Sequence, residues 1–226
     1  ALPPHVKRVV YLKDEQIVSI SNENFKVFYL NSSTSLNGYS LLKEVENDYH
    51  KVDKGNFSSF MEKEIFEQSK SIENTFTGRL TNEEVKLGGI DLDKEINRFL
   101  FLGCGTAYHA GLMGKYFMEN IARIPSTVEH SSEYKYKTSP FDKNVFAVAL
   151  SQSGETIDTI GAIKEAQSKN INTMAITNVV MSSLARLVPE GIYQRIGPEI
   201  SVASTKAFSS QLVLLLMLSV AVGRKR

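Results

Sequence analysis

The run Val145-Phe146-Ala147-Val148-Ala149-Leu150 carries no polar residue and passes straight into Ser151-Gln152-Ser153-Gly154-Glu155-Thr156. Such a run reads as a strand of a parallel sheet covered on both faces. A helix is predicted next, over about 155–168, with Ile160 and Ile163 on its inner side. The turn between them holds three hydroxyls, an amide and a glycine in six residues. A helix N-terminus already presents unpaired N–H groups and a positive dipole end to an anion. Ser151, Ser153 and Thr156 add side-chain donors, and Gly154 lets the backbone come close. One serine alone would read as an ordinary helix cap; this combination reads as a phosphate site.

The kind of phosphate can be narrowed. A nucleoside triphosphate loop needs Gly-x4-Gly-Lys-Ser/Thr, and this turn has no lysine and one glycine. Neutral donors at a helix end suit a single phosphomonoester on a small metabolite. A second strand-to-turn junction runs from Arg98-Phe99-Leu100-Phe101-Leu102 into Gly103-Cys104-Gly105-Thr106-Ala107-Tyr108, with a helix predicted over 108–122. It begins like a dinucleotide fingerprint, but Tyr108 fills the third glycine slot and Glu129 leads only into polar His130-Ser131-Ser132. Gly105 and Thr106 fit better as a second wall of the same pocket.

Further strands are predicted at 126–129, 170–177 and 191–195. A long last helix is predicted at 205–222, capped by Ser204. Its run Leu212-Val213-Leu214-Leu215-Leu216-Met217-Leu218 is too short to span a bilayer and suits a buried helix. Repeated strand–helix units of this length indicate an α/β fold, an open parallel sheet with helices on both faces.

Gly105-Thr106, Ser151-Gln152-Ser153-Gly154-Glu155-Thr156 and Pro198-Glu199-Ile200-Ser201-Val202-Ala203-Ser204-Thr205-Lys206-Ala207-Phe208 resemble the sugar isomerase (SIS) domain. With Phe60-Met61-Glu62-Lys63-Glu64-Ile65-Phe66-Glu67-Gln68, they are similar more narrowly to the first isomerase half-domain of the glutamine–fructose-6-phosphate aminotransferase (glucosamine-6-phosphate synthase) family. The likeness covers residues 55–226. It implies that Ser151, Gln152, Ser153 and Thr156 bind phosphate and that Thr106, Val202 and Ser204 lie near the sugar. It implies fructose 6-phosphate and glucosamine 6-phosphate as ligands, a homodimer, and no cofactor. In that family the ring-opening histidine, the proton-shuttling glutamate and the imine-forming lysine belong to a second half-domain, so no residue here is expected to be catalytic. Two positions depart from the family. Ala107 replaces a frequent serine, and Ser201 stands where glycine is usual, which stiffens that loop.

Residues 1–30 look like the last strands of the family's glutaminase domain, and 31–54 like a polar linker. Lys7-Arg8-Val9-Val10-Tyr11-Leu12 and Gln16-Ile17-Val18-Ser19-Ile20 flank Lys13-Asp14-Glu15 as a hairpin-like pair, with Phe25-Lys26-Val27-Phe28-Tyr29 as a third strand. Three strands bury too little to be stable alone, so this segment is expected to pack poorly or to use another surface. The chain starts at Ala1 without a nucleophilic cysteine, so a working glutaminase is not expected. The serine-rich signature occurs once, and Gly223-Arg224-Lys225-Arg226 reads as an interruption.

A formal charge of +1 offers no electrostatic case for nucleic acid or membrane partners. A lone cysteine forbids an internal disulfide, and the lack of a signal peptide is consistent with cytoplasm. His5, His50, His109 and His130 share no ligand spacing with one another or with Cys104, so no metal site is expected. His109 reads as structural, and Cys104 as a small apolar side chain ending a strand. Glu155 and Asp158 suit the first turn of their helix. Tyr134-Lys135-Tyr136-Lys137 reads as solvated surface. Lys206, in a helix's first turn, has either a ligand or a carboxylate to reach. Two other functions fit an SIS fold: a non-catalytic sugar-phosphate sensor, which would normally carry a helix-turn-helix, and a single-domain isomerase that completes its site by self-association.

Overall fold

Apolar runs long enough to cross a sheet supply its strands. The computed structural model describes residues 7–22, 24–32, 35–44, 53–81, 84–92, 95–137 and 144–225, which divide into two units, Ala1–Asp53 and Lys54–Arg226.

In the larger unit, β6 (Arg98–Gly103), β7 (Ser126–His130), β8 (Val145–Ser151), β9 (Asn172–Thr177) and β10 (Glu190–Tyr193) form a parallel sheet in the order β10-β9-β8-β6-β7. Every residue of β8 is buried, as a strand covered on both faces requires. Its side chains alternate. Phe146, Val148 and Leu150 join Phe99 and Phe101 on one face, whereas Val145, Ala147 and Ala149 join Leu100 and Leu102 on the other. The first face packs under α3 (Thr106–Phe117) and α7 (Lys206–Arg224), the second under α5 (Ile157–Ser168) and α4 (Ser131–Tyr134). Fully burying one phenylalanine stabilises by about 1.5–3 kcal/mol, so the stack of Phe99, Phe101 and Phe146 is a principal anchor of the first face. Before the sheet come α1 (Phe60–Phe66) and α2 (Gln68–Phe76). Ser59 caps α1 by accepting from Glu62 N at 3.1 Å, while the Glu62 carboxylate accepts from Ser58 N at 2.7 Å. The short α6 (Ser183–Leu187) follows β9.

Several boundaries differ from the sequence reading. Helix α3 begins at Thr106 rather than 108 and ends in a π-turn, Met118–Ala122. Helix α5 begins at Ile157, so Glu155 stands outside it, and α7 begins at Lys206. By length and composition α7 could cross a membrane, but 61% of its apolar window is buried in the fold, with Leu214, Leu215 and Leu218 in the core. Tyr134 is not surface: it is buried, and burial pushes its phenol up to about 12, with Glu165 and Glu129 adding to the shift.

In the smaller unit β2 (Gln16–Ile20), β3 (Phe25–Tyr29) and β4 (Ser35–Asn37) form an antiparallel sheet, and β1 (Arg8–Val9) pairs with β5 (Lys43–Glu44). The expected hairpin of 7–12 with 16–20 is therefore corrected, because Gln16–Ile20 takes Phe25–Tyr29 as its partner. Within 31–54, the described residues hold β4, a 3-10 turn (Gly38–Leu41) and β5. Ile17, Ile20 and Leu30 are exposed, and Val27 is buried. Residues 33–34 and 45–52, and Arg226, lie outside the described residues.

Candidate functional site

The chain leaves β6 toward β7 on one side, whereas from β8 it proceeds to β9 and β10 on the other. The carboxyl ends of β6 and β8 therefore flank a switch point, where the diverging connections leave a crevice. Both glycine- and hydroxyl-bearing turns open into it.

After β6, Gly105 adopts φ 56° and ψ −130° as the residue preceding α3, a conformation strained for any residue with a Cβ. It brings Thr106 to the start of the helix at the crevice wall. Cys104 lies just beyond the strand, half-buried and lining the cavity, rather than ending the strand as a core residue.

After β8, the Ser151 hydroxyl accepts from Gly154 N at 3.0 Å and meets Thr156 Oγ1 at 3.1 Å. Ser153 Oγ accepts from Glu155 N at 3.1 Å. Asn178 N donates to Gln152 O at 3.0 Å and Leu184 N to Gly154 O at 2.9 Å, fixing the turn from behind. The Glu155 carboxylate accepts from Ser183 N at 2.8 Å, so it ties the turn to α6 instead of serving the dipole of α5. Thr156 is the N-cap of α5 yet its side chain caps none of the helix's amides. Among the described residues no side chain is seen to accept from the first-turn N–H groups of α5, the state in which a helix end receives an anion.

The third wall is the loop before α7. Its expected cap is corrected: Thr205, not Ser204, is the N-cap, and neither side chain caps the helix. Glu199 does so from six residues upstream, its Oε1 accepting from Thr205 N at 3.0 Å and from Ala207 N at 3.1 Å. Ser204 Oγ donates to Glu199 Oε2 at 3.2 Å. A carboxylate at a helix N-terminus is favoured by the dipole, and this one shapes the loop that carries Val202 and Ser204.

Thr106, Ser151, Gln152, Ser153, Thr156, Val202 and Ser204 all line one cavity of about 220 Å³. Among its lining residues there is no lysine or arginine and one acid, Glu199, already engaged by the helix end. An occupant's negative charge would therefore meet neutral donors, which fits a phosphomonoester without metal. Cys104, Ala107, Glu199, Ser201 and Gln211 also line it and were not among the expected binding residues; Glu199 and Ser201 had a signal, since both lie in the run that suggested the family. Ala107 brings no hydroxyl to the β6 side of the cavity.

The remaining polar residues lie elsewhere. Lys206 is 3% exposed, and its Nζ meets Glu67 Oε2 at 2.7 Å. The carboxylate alternative is the one observed. His130 stacks on Tyr108 with ring centroids 3.7 Å apart, His109 is exposed, and neither lines the cavity. His5 and His50 are outside the described residues.

The SIS domain family matches residues 94–221. Curated relatives include the glutamine–fructose-6-phosphate aminotransferases (isomerizing) of Clostridium acetobutylicum, 41% identical over 96% of this chain and 36% of that protein, and of Thermus thermophilus, 41% identical over 100% of this chain and 37% of that protein. The chain thus spans a little over a third of the relatives it matches. Among solved structures, the C-terminal domain of glucosamine-fructose-6-phosphate aminotransferase from Francisella tularensis superposes with a TM-score of 0.72 at 35% identity, covering 76% of this chain and 49% of that one.

Proposed function

The chain belongs to the SIS domain family, and from that premise we propose that it is the sugar-phosphate-binding part of a glutamine-dependent fructose-6-phosphate amidotransferase that makes glucosamine 6-phosphate for amino-sugar synthesis. One observation carries the reading: hydroxyls from three separate chain segments, Thr106, Ser151 to Thr156 and Ser204, line the same cavity at the sheet's switch point. The turn 151–156 and the open end of α5 take the phosphate. Thr106, Val202 and Ser204 face the sugar, with Val202 supplying an apolar surface and the two hydroxyls hydrogen bonds. The likeness of nearly all of this chain to part of the named aminotransferases supports fructose 6-phosphate and glucosamine 6-phosphate as the ligands, and we place the working form as a homodimer in the cytoplasm by the family resemblance.

Within this chain the site binds and orients; it does not carry the chemistry. Opening a sugar ring and moving a proton between adjacent carbons require acid–base groups within hydrogen-bond reach, and an imine requires an amine. The cavity's titratable residues are Cys104 and Glu199, and the latter is committed to α7.

Thermal shift with fructose 6-phosphate, glucosamine 6-phosphate and unphosphorylated fructose tests the reading. Both phosphorylated sugars should raise Tm, fructose should not, and Ser153→Asp should abolish the response by placing a carboxylate against the anion. Equal shifts with fructose and its phosphate would overturn it.

A further inference from the structure

Residues 198–204, which supply Val202 and Ser204 to the cavity, form neither helix nor strand. Val202 is fully exposed, so its packing cannot hold the loop in place. Two carboxylates do so. Glu199 works from within, through the start of α7. The other, Glu64, comes from α1, 136 positions before Ile200. It is 2% exposed and accepts from Ile200 N at 2.6 Å, from Ser201 N at 3.2 Å, and from Ser201 Oγ.

A carboxylate at that depth is costly unless donors meet its charge, and here two consecutive residues of one loop provide three. Charge-assisted bonds of this kind are stronger and more directional than neutral ones. An apolar side chain at position 64 would fill the volume but would not orient the backbone. The Glu67–Lys206 pair repeats the connection at the start of α7, so the α1–α2 segment grips both sides of the loop's C-terminal half. Ser201 belongs to the same device, since a glycine there would offer the amide alone.

We infer that Glu64 is a positioning residue for the sugar side of the pocket, setting where Val202 and Ser204 stand without touching the ligand. The inference rests on the sugar-phosphate reading above. It separates the pocket into a phosphate cradle, held by α5 and α6, and a sugar side whose 198–204 loop is held by α1 while Thr106 is held by α3.

The test is titration of the whole chain with fructose 6-phosphate and, separately, with inorganic phosphate, followed by amide NMR shifts. Glu64→Ala should weaken fructose 6-phosphate binding about tenfold, the equivalent of one lost charge-assisted bond, and leave inorganic phosphate within about twofold. Glu64→Gln keeps an acceptor for the two amides and should restore affinity to within about threefold of the unchanged chain. A purely structural role would shift both ligands together, and that result, or no shift of either, overturns the inference. Should Glu64→Ala not fold, Ser201→Gly decides: it should weaken fructose 6-phosphate about two- to threefold, and unchanged affinity counts against Glu64. If the unchanged chain binds neither ligand, the pocket reading itself falls and takes the inference with it.

Discussion

At Gly154 the backbone takes φ 67°, and a Cβ built there would stand 2.1 Å from Ser182 Oγ and 2.6 Å from Ser182 Cβ. Ser182 has little freedom to retreat, because its hydroxyl caps α6 by accepting from Ala185 N at 3.4 Å. Left-handed backbone and a steric conflict therefore penalise the same substitution. Gly154→Ala should lower stability by about 2–3 kcal/mol in urea unfolding. In variants that stay folded, it should also displace Ser151 Oγ from Gly154 N and weaken phosphate binding. An alanine variant of wild-type stability would show that the turn relaxes without cost. The glycine and the hydroxyls around it were legible from sequence, because a turn between a buried strand and a helix restricts what each residue type can be doing. Glu64 was not. A glutamate on a short helix ordinarily reads as solvated, and its burial depends on two amides 136 and 137 positions away, a separation no local pattern encodes.

Among the elements, strands were easier to read than helix starts. Continuous apolar runs marked β6 and β8 to within a residue, since burial on both faces leaves no room for polar side chains. The starts of α3, α5 and α7 were misplaced by one or two residues for a physical reason: none is capped by its own N-cap side chain. For α7 the distant Glu199 does that work instead, whereas α3 follows the left-handed Gly105 and α5 follows the 151–156 turn without a side-chain cap. The pairing of β1 with β5 was hidden for the same cause as Glu64, being non-local. Lys206 illustrates the energetics at this scale. A buried ammonium at the start of a helix opposes the dipole, and Glu67 offsets it, with Lys63 Nζ a further 3.7 Å from the same carboxylate. Glu67→Ala should cost about 2–4 kcal/mol by leaving that ammonium unpaired, whereas Lys206→Met should cost less than about 1 kcal/mol by replacing the charge with apolar volume. Comparable losses from both variants in urea unfolding would show that the pair, rather than the stranded charge, carries the stability.

For the molecule as a whole, the proposed site has a phosphate cradle and a sugar wall but no amine and no uncommitted base among the cavity's lining residues. The chain alone, given fructose 6-phosphate and ammonia, should therefore form no glucosamine 6-phosphate above the uncatalysed background, while still binding the substrate. A measured rate would assign the fold a self-sufficient isomerase role instead. The two halves of the site also draw on different spans of the chain. The cradle depends on β8, α5 and the segment just after β9, all close in sequence. The sugar wall depends on Glu64 meeting Ser201, 137 positions later. On a ribosome adding about 5–20 residues per second, α1 emerges roughly seven to twenty-seven seconds before the loop it must hold. A nascent chain therefore carries the Glu64 carboxylate without its loop partners until residues 200 and 201 have been made.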